Sequence, residues 1–187
     1  NQTHVVGSSH GGTLVMVAGA LAPERFHHIV AVSPANGISE QSRWQATVFS
    51  AWWGRWAGYC VPYVAPLIHG YFLSRMYADR TRVLPGTVQG YNAPLKEKGT
   101  VRYLLAVMKH WKNEFRGLHA RLSALQDARL TFLWGEEDTV VRMSCREELL
   151  RDFPRAKFVV MPNAGHLPYE ERPELFNQML LECLQEQ

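Results

Sequence analysis

Between residues 4 and 21 an apolar run, a serine framed by glycines and a second apolar run follow one another without a gap. His4-Val5-Val6 leads into Gly7-Ser8-Ser9-His10-Gly11-Gly12, and Thr13 to Leu21 follows. This reads as a strand, a tight turn carrying a serine, and a helix. A G-x-S-x-G pattern acquires mechanical meaning only in that context, where the serine sits on a strained strand-to-helix turn and its hydroxyl projects above a sheet. The flanking positions are expected to be small, because a β-carbon there would collide with neighbouring backbone. Gly7 and Gly11 frame Ser9, and Gly12 is expected to let the helix pack close to the strand. Ser8 fails the same test, since it would need glycines where Val6 and His10 stand.

Two further signals lie far downstream. Arg129 to Trp134 (R-L-T-F-L-W) reads as a buried strand running into Gly135-Glu136-Glu137-Asp138, a turn with a carboxylate just past the strand end. Lys157 to Met161 (K-F-V-V-M) is another strand-like run, followed by Pro162-Asn163-Ala164-Gly165-His166. Ser9, Asp138 and His166 thus each fall just beyond the C-terminal end of a predicted strand, the edge where open α/β sheets bind their ligands. Their order along the chain differs from that of the chymotrypsin and subtilisin triads.

The elbow, G-x-x-D at Gly135 to Asp138 and A-G-H-L-P at Ala164 to Pro168 together resemble the α/β-hydrolase superfamily, specifically its serine-nucleophile members with a helical cap. The following Glu170-Glu171-Arg172-Pro173-Glu174 is similar to that family's usual lead into its last helix. The resemblance spans nearly the whole chain. It implies an α/β fold with a mostly parallel sheet, flanking helices and an inserted helical cap. In that family the elbow strand lies mid-sheet, yet here it begins within four residues of Asn1. The resemblance therefore implies a fragment from which roughly the N-terminal third, with the early strands and a His-Gly type loop, is absent.

The chain pattern suits that division. A strand at Val5 to Gly7, a helix at Gly11 to Ala22 and a strand at His28 to Ser33 form a βαβ unit, which requires parallel pairing. The rhythm then stops. From Ile38 to Leu125 strand alternation gives way to helical apolar periodicities at Ser42 to Tyr59, Val64 to Met76 and Thr100 to Phe115, with Pro62, Pro66, Pro85 and Pro94 as breaks. It resumes with strand 129–134, helix 141–152, strand 157–161 and helix 173–185. The expected domains are a hydrolase core over 1–37 and 126–187 and a cap over 38–125. The cap segment carries Trp44, Phe49, Trp52, Trp53, Trp56, Tyr59, Tyr63, Tyr71, Phe72 and Tyr77. A helical insert of that size cannot bury them all within itself, so some should face the core and line an apolar pocket, with Trp44, Trp52, Trp53 and Trp56 as the candidates.

Composition excludes several other readings. The chain has 187 residues, 47% hydrophobic and 20% charged, which is ordinary for a globular domain rather than a disordered one. A net charge of +3 comes from scattered basic residues and gives no footprint for nucleic acid. The eight histidines show no ligand spacing, and His27-His28 are expected at the surface or at a strand entrance rather than on a metal. Cys60, Cys145 and Cys183 are far apart and odd in number, so free thiols are expected instead of a disulfide framework. No run is long and apolar enough for stable membrane insertion. No cofactor and no metal are implied. The expected partner is a small apolar substrate, and oligomeric state is not encoded.

The resemblance assigns roles. Ser9 would be the nucleophile, His166 its base and Asp138 the residue that orients His166. Glu136 and Glu137 are the alternatives for the acid and are expected to be solvated turn residues. The backbone N–H of His10 would be one oxyanion donor, beside the N-terminus of the elbow helix. A serine at the elbow disfavours dehalogenase and epoxide hydrolase chemistry, which uses aspartate there. Acyl transfer to water remains, with a carboxylic ester as the leading substrate class. Carbon–carbon hydrolysis of vinylogous diketones and a non-catalytic ligand receptor are the alternatives.

Overall fold

The structure, a computed structural model, describes residues 2–35, 60–107 and 122–185. Among these, four strands form one sheet in the order β1 (Thr3–Ser8), β2 (Phe26–Val32), β3 (Leu130–Gly135) and β4 (Lys157–Met161), with every neighbouring pair parallel. Parallel pairing needs a crossover between successive strands. Helix α1 (His10–Leu21) supplies the first crossover, and a short helix α4 (Arg146–Asp152) lies in the last. The segment between β2 and β3 contains helices α2 (Val61–Ser74) and α3 (Thr87–Asn92) and a helical stretch over 100–107, and no strand among its described residues. After β4 come a one-turn helix, α5 (Pro168–Glu171), and the closing helix α6 (Pro173–Gln185).

Strand alternation sorts the central strands onto two apolar layers. Ile29 and Ala31 of β2 and Phe132 and Trp134 of β3 pack with Met16 of α1, Leu125, Leu149 and Phe153. The intervening Val30, Val32 and Leu133 pack with Met161 and with Phe176 of α6 on the opposite face. Because both faces are covered, β2 and β3 read as continuous apolar runs rather than alternating ones. The Trp134 indole stacks on Phe158 at 5.4 Å and donates to the Val141 carbonyl at 2.8 Å, so its one polar atom is satisfied in the core.

Two expectations need correction here. His27 is exposed near the start of β2, within the expectation, but His28 beside it is buried. Its Nε2 pairs with the Thr131 hydroxyl at 2.8 Å, which makes burial of a polar ring tolerable. His27 instead meets the Arg129 guanidinium at 2.9 Å. The second correction concerns the elbow glycines. A β-carbon on Gly7 would stand 2.2 Å from the Gly11 carbonyl oxygen, and one on Gly12 would press on Pro34 at 3.0 Å, whereas one on Gly11 meets nothing within 4 Å. Only Gly7 and Gly12 are sterically required, because the strand end packs against the first helical turn and Gly11 faces away from it. Gly7→Ala should therefore lower stability by roughly 3 kcal/mol or more, since fixed backbone cannot relax around the added carbon. Gly11→Ala should be neutral or stabilising by about 0.5–1 kcal/mol in a helix. Urea midpoints of the two variants check the contrast, and equal losses would refute it.

Candidate active site

Parallel strands bring their C-terminal ends to one edge, and the three singled-out residues meet that edge from β1, β3 and β4. Ser9 follows β1 with φ 53° and ψ −118°, a left-handed conformation that a non-glycine residue adopts only when its surroundings enforce it. The surroundings are backbone hydrogen bonds. The Ser9 N–H donates to Val32 at 2.8 Å, and its carbonyl accepts from Ala35 at 3.0 Å and from Thr13 at 3.3 Å. The turn is thus pinned to the end of β2 as well as to its own helix. The Thr13 hydroxyl adds a bond to the Ala35 carbonyl, closing the same junction. His10 is the first residue of α1, and its side chain is half-buried.

Asp138 and His166 meet directly. The imidazole Nδ1 lies 2.8 Å from Asp138 Oδ2, and both side chains are almost fully buried. The other carboxylate oxygen of Asp138 accepts from the Val140 N–H at 2.8 Å and the Val141 N–H at 2.9 Å, so both oxygens are occupied and the group has one orientation. Glu136 and Glu137 are exposed beside it, and Glu136 only accepts a 3.3 Å bond from the Asn163 backbone. A buried carboxylate fixed at three points and facing Nδ1 makes that nitrogen the donor, leaving Nε2 as the basic atom.

Gly165 is required by packing rather than by backbone conformation, because its φ is not in the left-handed range. A β-carbon there would lie 2.3 Å from the Met76 carbonyl and 2.8 Å from the Ala78 N–H. The chain after α2 presses on the His166 loop, and the His166 N–H donates to the Met76 carbonyl at 2.6 Å. Similarly, a β-carbon on Gly135 would lie 2.0 Å from the Gly165 carbonyl, so the loops that carry Asp138 and His166 touch backbone to backbone.

Three groups at this edge escaped the sequence reading. Ser33, the residue after β2, is fully buried at φ 40°. Glu170 accepts from the Tyr77 hydroxyl at 2.8 Å and from the Tyr91 hydroxyl, and burial followed by these bonds to a carboxylate pushes both phenols well above their ordinary range. Glu171 is a buried carboxylate that holds backbone N–H groups. The adjacent acids were visible in sequence only as a lead into the last helix; nothing local told which of them faces inward.

Of the predicted pocket residues, Trp44, Trp52, Trp53 and Trp56 lie outside the described residues, as do Phe49 and Tyr59. Tyr71 and Phe72 do not turn toward the core; they are exposed on α2, whereas Tyr77 is buried. Cys60 is exposed, Cys145 and Cys183 are buried, and no disulfide joins any of the three. Among the described residues no cluster of His, Cys, Asp and Glu could hold a metal ion, and no helix is long and apolar enough to cross a membrane.

Comparison with known proteins agrees with this architecture. The profile of the alpha/beta hydrolase fold family matches residues 1–173. An uncharacterized hydrolase of Bacillus subtilis (strain 168), YugF, is 24% identical over 191 residues, covering 98% of this chain and 65% of YugF. The meta-cleavage product hydrolase CumD from Pseudomonas fluorescens IP01 superposes with a TM-score of 0.75 at 19% identity, over 100% of this chain and 66% of CumD. The 2-hydroxy-6-oxo-6-phenylhexa-2,4-dienoate hydrolase BphD from Rhodococcus sp. strain RHA1 gives 0.73 at 19% identity, over 99% of this chain and 64% of BphD. The chain thus spans slightly less than two thirds of the length of these relatives. A serine on a strained turn at the end of one parallel strand and a buried Asp138–His166 pair beyond two others, together with a profile match over most of the sequence, place this chain in the α/β-hydrolase fold family.

Proposed function

We propose that this chain carries the catalytic residues of a serine hydrolase that cleaves a small to medium apolar carboxylic ester through an acyl-enzyme. The observation that carries the reading is the buried 2.8 Å contact between His166 Nδ1 and Asp138, on the same sheet edge as the strained Ser9. In this reading the Ser9 hydroxyl attacks the ester carbonyl carbon and its proton passes to His166 Nε2. The tetrahedral oxyanion is met by the His10 N–H at the start of α1. Collapse expels the alcohol, which takes the proton from His166, and water repeats the sequence on the acyl-serine. Asp138 stabilises the imidazolium at each stage and keeps Nε2 toward the serine. The apolar character of the acyl group rests on the aromatic-rich segment 38–125, read here as a cap.

Carbon–carbon hydrolysis is the second reading, favoured by the overlap with solved structures of meta-cleavage product hydrolases. The natural protein containing this chain should release p-nitrophenolate from p-nitrophenyl butyrate in a burst matching the enzyme concentration, followed by steady turnover. Consumption of a vinylogous diketone without ester turnover would move the assignment to the second reading. A ligand-induced rise in melting temperature with neither reaction would make the protein a receptor and overturn both.

A further inference from the structure

Glu171 is only 2% exposed and lies five residues after the proposed base, at the end of α5. Burying a carboxylate is costly unless its oxygens are satisfied, and here backbone N–H groups do so. Oε1 accepts from Asp79 at 2.7 Å, and Oε2 accepts from Ala78 at 3.1 Å and from Gly165 at 2.8 Å. Two of the donors belong to the chain after α2, and the third is the N–H immediately preceding His166. The same stretch makes two more ties to the site. The Met76 carbonyl takes the His166 N–H at 2.6 Å, and the Arg75 carbonyl takes the Thr139 hydroxyl at 2.9 Å, next to Asp138. On the outer side the Arg82 guanidinium donates to the Glu171 carbonyl at 3.2 Å and pairs with Asp79 at 3.5 Å. Residues 75–82 form a strap laced to both loops of the acid–base pair.

We propose that Glu171 is a positioning residue: it clamps the strap onto Gly165 and thereby fixes the backbone of His166, while Asp138 fixes the ring. The role rests on the hydrolase reading above. One end of the imidazole is held through Nδ1 and the other through its main chain, so losing the clamp leaves the ring attached to Asp138 but free to drift from Ser9. A displacement near 1 Å in such a constellation costs on the order of 10²-fold in rate. Glutamine cannot replace the carboxylate. Its NH₂ must face either Asp79 N–H or the pair Ala78 and Gly165 N–H, donor against donor.

The natural protein is assayed on p-nitrophenyl butyrate as wild type, E171Q, R82A and S9A, with rates expressed per folded molecule. E171Q should lose about 10- to 100-fold in kcat with KM within about threefold, the pattern of an interaction realised in the transition state. It should also shift or broaden the downfield Nδ1 proton resonance of His166 in the folded protein. Should E171Q fail to fold, R82A carries the test: the arginine is partly solvent-exposed, and loosening the strap through it should lower kcat about 3- to 10-fold at unchanged KM. An inactive S9A together with wild-type kcat in whichever of E171Q and R82A folds overturns the positioning role alone. Undiminished turnover by S9A overturns the hydrolase reading itself and the clamp's role with it.

Discussion

Ser9→Ala is expected to abolish covalent labelling by a fluorophosphonate probe and to lower kcat by on the order of 10⁶-fold. The expectation starts from the backbone. Holding a serine at φ 53° costs energy, and here three main-chain hydrogen bonds to Val32, Ala35 and Thr13 maintain it. Such a turn lifts the hydroxyl to the sheet edge, and Asp138 and His166 meet at the same edge. Removing one oxygen leaves the fold intact, since the bonds that hold the turn are all made by its backbone. Mass spectrometry of the labelled protein identifies the modified residue. Labelling that persists in the alanine variant, or that maps to Ser8, would overturn the assignment of the nucleophile.

Asp138→Asn should reduce kcat by about 10⁴-fold, because an amide facing Nδ1 stabilises the wrong imidazole tautomer. The loss should fall on the chemistry more than on the fold. The side-chain oxygen that accepts from Val140 and Val141 can be kept in the amide, while the position facing His166 becomes a donor. Glu136→Gln and Glu137→Gln should stay within about threefold, as expected of exposed turn carboxylates whose charge is solvated. Steady-state kinetics on an activated ester compares the three variants directly. A glutamine variant as crippled as Asp138→Asn would mean that the acid has been misassigned.

The strands and helices around the site were largely legible because each is written in a short window. The run before Ser9 is apolar and precedes glycines, which makes a strand and a turn; Arg129 to Trp134 and Lys157 to Met161 are bounded by turn residues and too short for helices. Prediction and structure agree there to within a few residues. That Asp138 and His166 come together was legible for a related reason. Parallel strands put all their C-terminal ends on one edge, so a carboxylate and a histidine just past two strand ends are brought near each other by topology alone. In the opposite direction, the one-turn helix Pro168–Glu171 was not anticipated, since four residues leave no periodicity to read.

What the sequence could not decide were matters of contact between distant segments. Gly7 and Gly11 look equivalent in the motif, yet only Gly7 abuts backbone, because the strand end meets one side of the helix and not the other. His28 read as a surface or strand-entrance residue, and only Thr131, 103 positions away, supplies the partner that makes its burial tolerable. Glu170 and Glu171 are indistinguishable as letters. One faces two phenols and the other three backbone N–H groups, most of them from a strap more than 75 residues earlier in the chain. Local backbone preference and strand order, both written in neighbouring residues, determined the scaffold and the edge on which the chemistry stands. Which of the two adjacent glutamates is buried among backbone donors was decided only when separate segments packed together, because a buried charge is tolerated only where the whole fold brings it enough donors.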